Sequence, residues 1–198
     1  MGWSCKRITF IEKDLRKDLQ MYRFFFSRAT LGSILIGVAL TLVFDKSAYT
    51  NDDSLDAGIS AMKRGHYATA LRAFRNLAKR GNAQAENNIG FLYERGLGVP
   101  QDYNLALKWY KDSAKKGLPE GEFNTGLLYH YGYGVAKNQS EAKKWFERAA
   151  RKGFLDAEFM MGHVYQNGWG VKPNGLRALA WYKRAAKKGK AEAQFMTG

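Results

Sequence analysis

Gly90, Gly126, Gly162 and Gly198 stand 36 residues apart, and much of the intervening chain keeps the same step. Tyr93, Tyr129 and Tyr165 follow it, as do Gly96, Gly132 and Gly168, then Gly98, Gly134 and Gly170, then Val99, Val135 and Val171. Ala106, Ala142 and Ala178 keep phase, with Trp109, Trp145 and Trp181, then Ala114, Ala150 and Ala186, and the unit closes on Gly117, Gly153 and Gly189. A fixed period of this length is the mark of one supersecondary unit stacked on itself, because a single copy cannot bury its own apolar face.

Each unit reads as two helices. In the first copy, helix A is expected from about Ala83 to Arg95, with Ala85, Ile89, Leu92 and Tyr93 on one face and Gly90 at that face's edge, where a second helix could come close. The Gly-x-Gly-Val turn supplies residues able to take positive φ, and Val99 can plug the turn into the core. Asp102, Asn138 and Asn174 occupy one phase before helix B, where a side-chain oxygen can accept from the orphan N–H groups of the first turn. Helix B is expected to aim Ala106, Trp109, Tyr110 and Ala114 at the core. It closes on Lys115-Lys116-Gly117, Arg151-Lys152-Gly153 and Lys187-Lys188-Gly189, cations that suit the negative end of the helix dipole. Residues 54–81 read as a shorter first hairpin: Ala70, Phe74, Ala78 and Gly81 match Ala106, Tyr110, Ala114 and Gly117, while Lys63-Arg64-Gly65-His66-Tyr67 replaces the Gly-x-Gly-Val turn.

The third copy spells Ala157-x4-Gly162-x2-Tyr165-x2-Gly168-x-Gly170-Val171, then Ala178-x2-Trp181-x3-Ala185-Ala186-x2-Gly189. This set resembles the Sel1-like repeat family, a relative of tetratricopeptide repeats. The likeness is strong over 83–198, as copies 83–118, 119–154, 155–190 and a partial 191–198, and weaker over 54–81, which looks like a tetratricopeptide hairpin. The resemblance implies an all-α fold, a right-handed α/α superhelix (solenoid) of antiparallel helix pairs. It also implies adaptor or scaffold work in protein complexes rather than catalysis. A cysteine-rich branch of the family is linked to β-lactam hydrolysis; Cys5 is the chain's one cysteine, so that activity is not carried over.

The chain before the repeats divides into a basic tail (1–23), a hydrophobic helix (24–44) and a linker (45–53). Phe24–Phe44 is 21 residues long, broken by Ser27 and Arg28, about what a bilayer requires. It reads as an uncleaved anchor or as a signal segment removed on export; a start at Met21 would put the two readings on an equal footing. Met1-Gly2 is a poor acylation signal, with Lys6 where Ser or Thr belongs. Seven Lys/Arg precede residue 29, whereas Asp45, Asp52, Asp53 and Asp56 crowd around Lys46 on the far side. That asymmetry puts the repeats on the non-cytoplasmic, periplasmic side, anchored or secreted.

Residues 54–198 carry +12 of the net +14. That charge favours anionic partners, so a basic surface bound to an envelope polymer or lipid is the second reading. Nucleic acid is disfavoured, because Trp109 in Lys108-Trp109-Tyr110-Lys111 falls in the core phase. His66, His130 and His163 are not joined by Cys or acids at ligand spacing, and no P-loop or nucleophile elbow occurs, so no metal, cofactor or enzymatic activity is expected. The binding face is expected on the inner curve, where the A helices of related repeats lie. Its candidates are Asn87, Asn88, Phe91 and Arg95, then Phe123, Asn124, Leu127, His130 and Tyr131, then Phe159 and His163. Phe123, Phe159 and Phe195 share a phase that could serve helix packing equally well. The started fourth unit also offers a face for end-to-end self-association.

Overall fold

A computed structural model describes residues 54–197. The readings made on 1–53 lie outside them. Four helix pairs follow in chain order: α1 (Leu55–Lys63) with α2 (Tyr67–Lys79), α3 (Ala83–Arg95) with α4 (Tyr103–Lys115), α5 (Pro119–Tyr131) with α6 (Gln139–Arg151), and α7 (Leu155–Asn167) with α8 (Gly175–Lys187). A single turn, α9 (Ala191–Phe195), comes last. No strand occurs among the described residues. Each helix packs chiefly on its neighbours in the chain, as a solenoid requires. No described helix is long and apolar enough to cross a membrane.

The helix ends are written locally. Asp102 Oδ1 accepts from the amides of Asn104 and Leu105 at 2.9 Å, and Asn138 and Asn174 accept from Glu141 and Arg177 at the same distance. Helices α3, α5 and α7 stop on Gly96, Gly132 and Gly168, whose φ of 67°, 82° and 73° is left-handed. A Cβ makes that conformation costly, so the chain turns where the sequence has none. The amide of each N-cap then donates back across the turn: Asp102 to Tyr93 O (3.0 Å), Asn138 to Tyr129 O (2.9 Å) and Asn174 to Tyr165 O (2.8 Å).

Within each pair, a ring from the second helix fills a notch left by a glycine of the first. A Cβ on Gly90 would lie 2.7 Å from Tyr110 Cδ1, and one on Gly126 would lie 2.6 Å from Phe146 Cε1; Gly162 meets the ring of Tyr182 still more closely. Phe74, Tyr110 and Phe146 are fully buried there. The first hairpin repeats the device with Gly58 under Phe74, a pairing hidden from the 36-residue register because its turn is four residues shorter. One expectation needs correcting: Trp109, Trp145 and Trp181 are half-buried rather than core. Adjacent helix positions point about 100° apart, so the ring at 110, 146 or 182 takes the notch and the Trp flanks it. Arg148 and Arg184 guanidinium groups lie 4.4 and 5.4 Å from the centroids of Trp145 and Trp181.

Between pairs, two devices recur. The second glycine of each turn lies on the start of the preceding pair's second helix: a Cβ on Gly134 would be 2.6 Å from Tyr103 O, and one on Gly170 2.6 Å from Gln139 O. The lysines that end helix B do more than answer a dipole. Glu86, Glu122 and Glu158, one per repeat and buried, are reached by Lys116, Lys152 and Lys188. Lys152 Nζ donates to Glu122 Oε1 (2.9 Å) and also to Gly117 O (2.8 Å), the last carbonyls of the preceding pair; Lys188 does the same with Glu158 and Gly153. Arg148 adds a second cation at Glu122 (2.9 Å), and Arg184 one at Glu158.

A buried carboxylate stripped of its cations is strongly destabilising. Arg148→Met with Lys152→Met is therefore expected to lower unfolding free energy by about 3–5 kcal/mol. Adding Glu122→Gln should restore most of it. Urea titration of the native chain and the two variants measures both.

Candidate functional site: an aromatic row across the repeat turns

The A helices α3 and α5 touch directly, and Asn124 Nδ2 donates to Asn87 Oδ1 (2.9 Å) between them. This contact corrects the expectation that Asn87 faces solvent: it is 8% exposed, because A helices stack closely enough to cover it. Asn88 and Asn124 are half-buried. Phe91 is half-buried under the Arg95 guanidinium (5.7 Å), and Arg95, exposed, pairs with Glu94 (3.5 Å). Phe123 wedges between Phe146 and Phe154, with ring centroids 5.7 and 5.3 Å away, and Leu127 packs against the same core. Phe159 meets His163 edge-on (4.7 Å) and lies beneath the Lys190 ammonium (5.7 Å). At Phe123 and Phe159 the shared phase therefore serves packing, while Phe195 is exposed.

The second repeat brings the remaining candidates together. His130 is 8% exposed; its Nδ1 lies 2.8 Å from Gln139 Oε1, and its ring contacts Tyr131 (4.8 Å) and Trp169 of the next repeat (4.3 Å). Tyr131 is 54% exposed and stacks on Tyr133 (5.5 Å), itself 45% exposed, and Tyr133 stacks on Tyr103 of the preceding repeat (4.8 Å). His163 continues the series from Trp169 at 6.2 Å and lies 3.0 Å from Tyr182 Oη, which donates to Gln166 Oε1 (2.6 Å). A continuous aromatic row thus crosses three repeats. Stacked aromatic pairs contribute about 0.5–1.5 kcal/mol each beyond their buried area, so the exposed rings are held in place before anything binds.

Tyr103, Tyr133 and Trp169 are absent from the candidates read off the sequence. Tyr133 and Trp169 are the middle residues of the Gly-x-Gly turns, in phase with Leu97. That phase was the available signal: a large ring in the middle of a turn cannot be swallowed by a hairpin whose notch is already filled. No three His, Cys, Asp or Glu among the described residues are grouped to hold a metal ion.

Comparison with known proteins agrees with this architecture. The Sel1 repeat profile matches residues 83–118, 119–154 and 155–190. The chain belongs to the Sel1 repeat family. Sel1 repeat proteins are protein-interaction scaffolds, typically without catalysis. A Sel1 repeat protein from Oxalobacter formigenes is similar at 36% identity and a TM-score of 0.69, over 73% of this chain and 59% of that one. The antigen c5321, described as a protective antigen present in uropathogenic Escherichia coli strains displaying an SLR fold, is similar at 34% and 0.67, over 75% and 33%. This chain therefore spans well under two thirds of either relative. Helicobacter pylori cysteine rich protein B shares the fold at 19% identity and a TM-score of 0.52, over 65% of this chain and 96% of that one. No curated protein sequence matches the chain.

Burial lowers the pKa of both His130 and His163, with Lys137 adding to the effect at His130 and Gln139 opposing it. The folded Sel1 array therefore prefers neutral imidazoles. Its stability from these groups is complete above the ordinary histidine value of about 6.5 and is lost as pH falls through the depressed values. The urea midpoint should drop between pH 7 and pH 5, and His130→Gln with His163→Gln should flatten that drop.

Proposed function

We propose that this chain is a scaffold that holds a segment of a partner protein or peptide along the aromatic row of its A-helix side, at the bacterial cell envelope. The observation that carries the reading is the pair Tyr131 and Tyr133: two large rings side by side, each about half exposed and stacked in place. Rings of this kind give a partner contact area at little cost in conformational entropy, which is why tyrosine and tryptophan dominate binding hot spots. Of the residues named from sequence, Tyr131 and Arg95 are exposed and Phe91 and His163 half-buried, while Asn87 and His130 are buried and the His130 ring braces Tyr131. Phe91, Leu127 and Phe159 extend the half-buried apolar margin of the row.

The envelope setting rests on the sequence before residue 54: the apolar stretch 24–44, the seven cations ahead of it and the acids after it. Membrane attachment through 24–44, or export after cleavage, brings the repeats to the periplasmic side in either case. The rival reading, a basic edge spread over an anionic polymer or lipid surface, is weakened by the pairing of edge cations. Lys115 pairs with Asp112 (2.8 Å), Lys144 with Glu141 (3.1 Å) and Arg151 with Glu147 (2.7 Å).

Affinity capture from envelope extract should retain a defined partner on the full chain. Tyr131→Ala with Tyr133→Ala should weaken it roughly 30-fold or more, the loss of about 2 kcal/mol expected for a hot spot. Capture should persist in high salt. An unchanged partner set and affinity in that variant would sink the reading.

A further inference from the structure

A second surface stands apart from the aromatic row. Between α2 and the turn that follows α3 lies an open cleft of about 470 Å³, lined by Ala68, Leu71, Arg72, Arg75, Asn76, Lys79, Gly98 and Val99. Arg75 and Lys79 stand four residues apart, on one face of the helix. Helix α2 contains no acidic residue at all.

At the Lys79 phase the next two repeats are neutralised, whereas Lys111, at the Arg75 phase, meets the phenol of Tyr129 (2.7 Å) much as Arg75 meets that of Tyr93. Lys115 corresponds to Lys79 and pairs with Asp112; Arg151, next in phase, pairs with Glu147. Lys79 has no such carboxylate. Arg75 donates to the neutral phenol oxygen of Tyr93 (2.8 Å), which fixes the guanidinium without cancelling its charge. Arg72 and Asn76 have partners of their own and are not needed for the argument. Helix α8 also lacks acids and keeps Lys183 and Lys187, but no turn of the Gly-x-Gly kind packs against it among the described residues. Fixed cations and an apolar floor coincide at α2. The floor is Ala68 and half-buried Val99 above buried Leu71.

We propose that this cleft binds an acidic peptide segment of a partner protein, with carboxylates on Arg75 and Lys79 and an apolar side chain on the Ala68–Val99 floor. A polyanion without apolar groups would gain nothing from the floor and would meet Asp112, Glu141 and Glu147 farther along the same edge. The proposal adds a second contact to the scaffold reading but does not use the aromatic row, so the two can fail separately.

The probe is a short labelled peptide of alternating Glu and Leu, with a Gln-for-Glu counterpart, titrated into the full chain by fluorescence anisotropy. The acidic peptide should bind, the Gln version should not, and affinity should fall as salt rises. Arg75→Gln with Lys79→Gln should weaken binding about tenfold or more. Ala68→Glu, a single exposed change that sets a carboxylate in the cleft, should do the same. Lys183→Gln with Lys187→Gln, and Tyr131→Ala with Tyr133→Ala, should leave it unchanged. Equal loss in the Lys183/Lys187 variant, or tighter binding of polyphosphate than of the acidic peptide, would overturn the cleft in favour of diffuse charge attraction. Equal binding of the Gln peptide would overturn it as well.

Discussion

A missing side chain sets the geometry of every helix pair. Gly58, Gly90, Gly126 and Gly162 leave notches into which Phe74, Tyr110, Phe146 and Tyr182 fit, so the two helices of a pair approach more closely than two ordinary side chains would permit. Close-packed interiors do not yield to an extra methyl group without moving helices apart. Once that spacing is fixed, the turn glycines can lie on the preceding pair's backbone, and Lys152 and Lys188 can each reach both a buried glutamate of their own pair and a carbonyl of the pair before. The stack is thus held by a steric fit within pairs and by charge-assisted hydrogen bonds between them.

The two kinds of surface follow from that arrangement. Along the turns, Tyr133 stacks between Tyr103 and Tyr131, Trp169 lies on His130, and Tyr131 and Tyr133 remain about half exposed. Along the B helices, cations that would otherwise crowd one edge are taken up by Asp112, Glu141 and Glu147, or turn inward to Glu86, Glu122 and Glu158. A net positive charge spread over a sequence therefore says little about where a partner binds. What counts is which charges the fold leaves uncompensated.

Periodicity made the fold legible. The bounds of α3, the caps Asp102, Asn138 and Asn174, and the left-handed Gly96, Gly132 and Gly168 all follow from residues acting on their own helix ends. The site was less legible because it depends on distances between helices, which no helical wheel contains. Read on α3 alone, Asn87 belongs to the open inner curve; the neighbouring A helix buries it. The wheel for α4 counted Trp109 and Tyr110 alike as core, although only one ring fits over Gly90. The phased glutamates were visible as letters, yet their meaning required knowing that Lys116, Lys152 and Lys188 lie 30 residues on and one helix away.

The most direct test of the notch is a double-mutant cycle at Gly126 and Phe146, read as unfolding free energy in urea. In the native background Gly126→Ala should destabilise by about 1–3 kcal/mol, since its Cβ would press on the Phe146 ring. In the Phe146→Ala background the same change should cost at least about 1 kcal/mol less, because alanine is the better helix former and the ring is gone, leaving only Ala142 O (3.3 Å) close to the new Cβ. The same destabilisation in both backgrounds would contradict the account, since the glycine would then be required for a reason other than the ring above it.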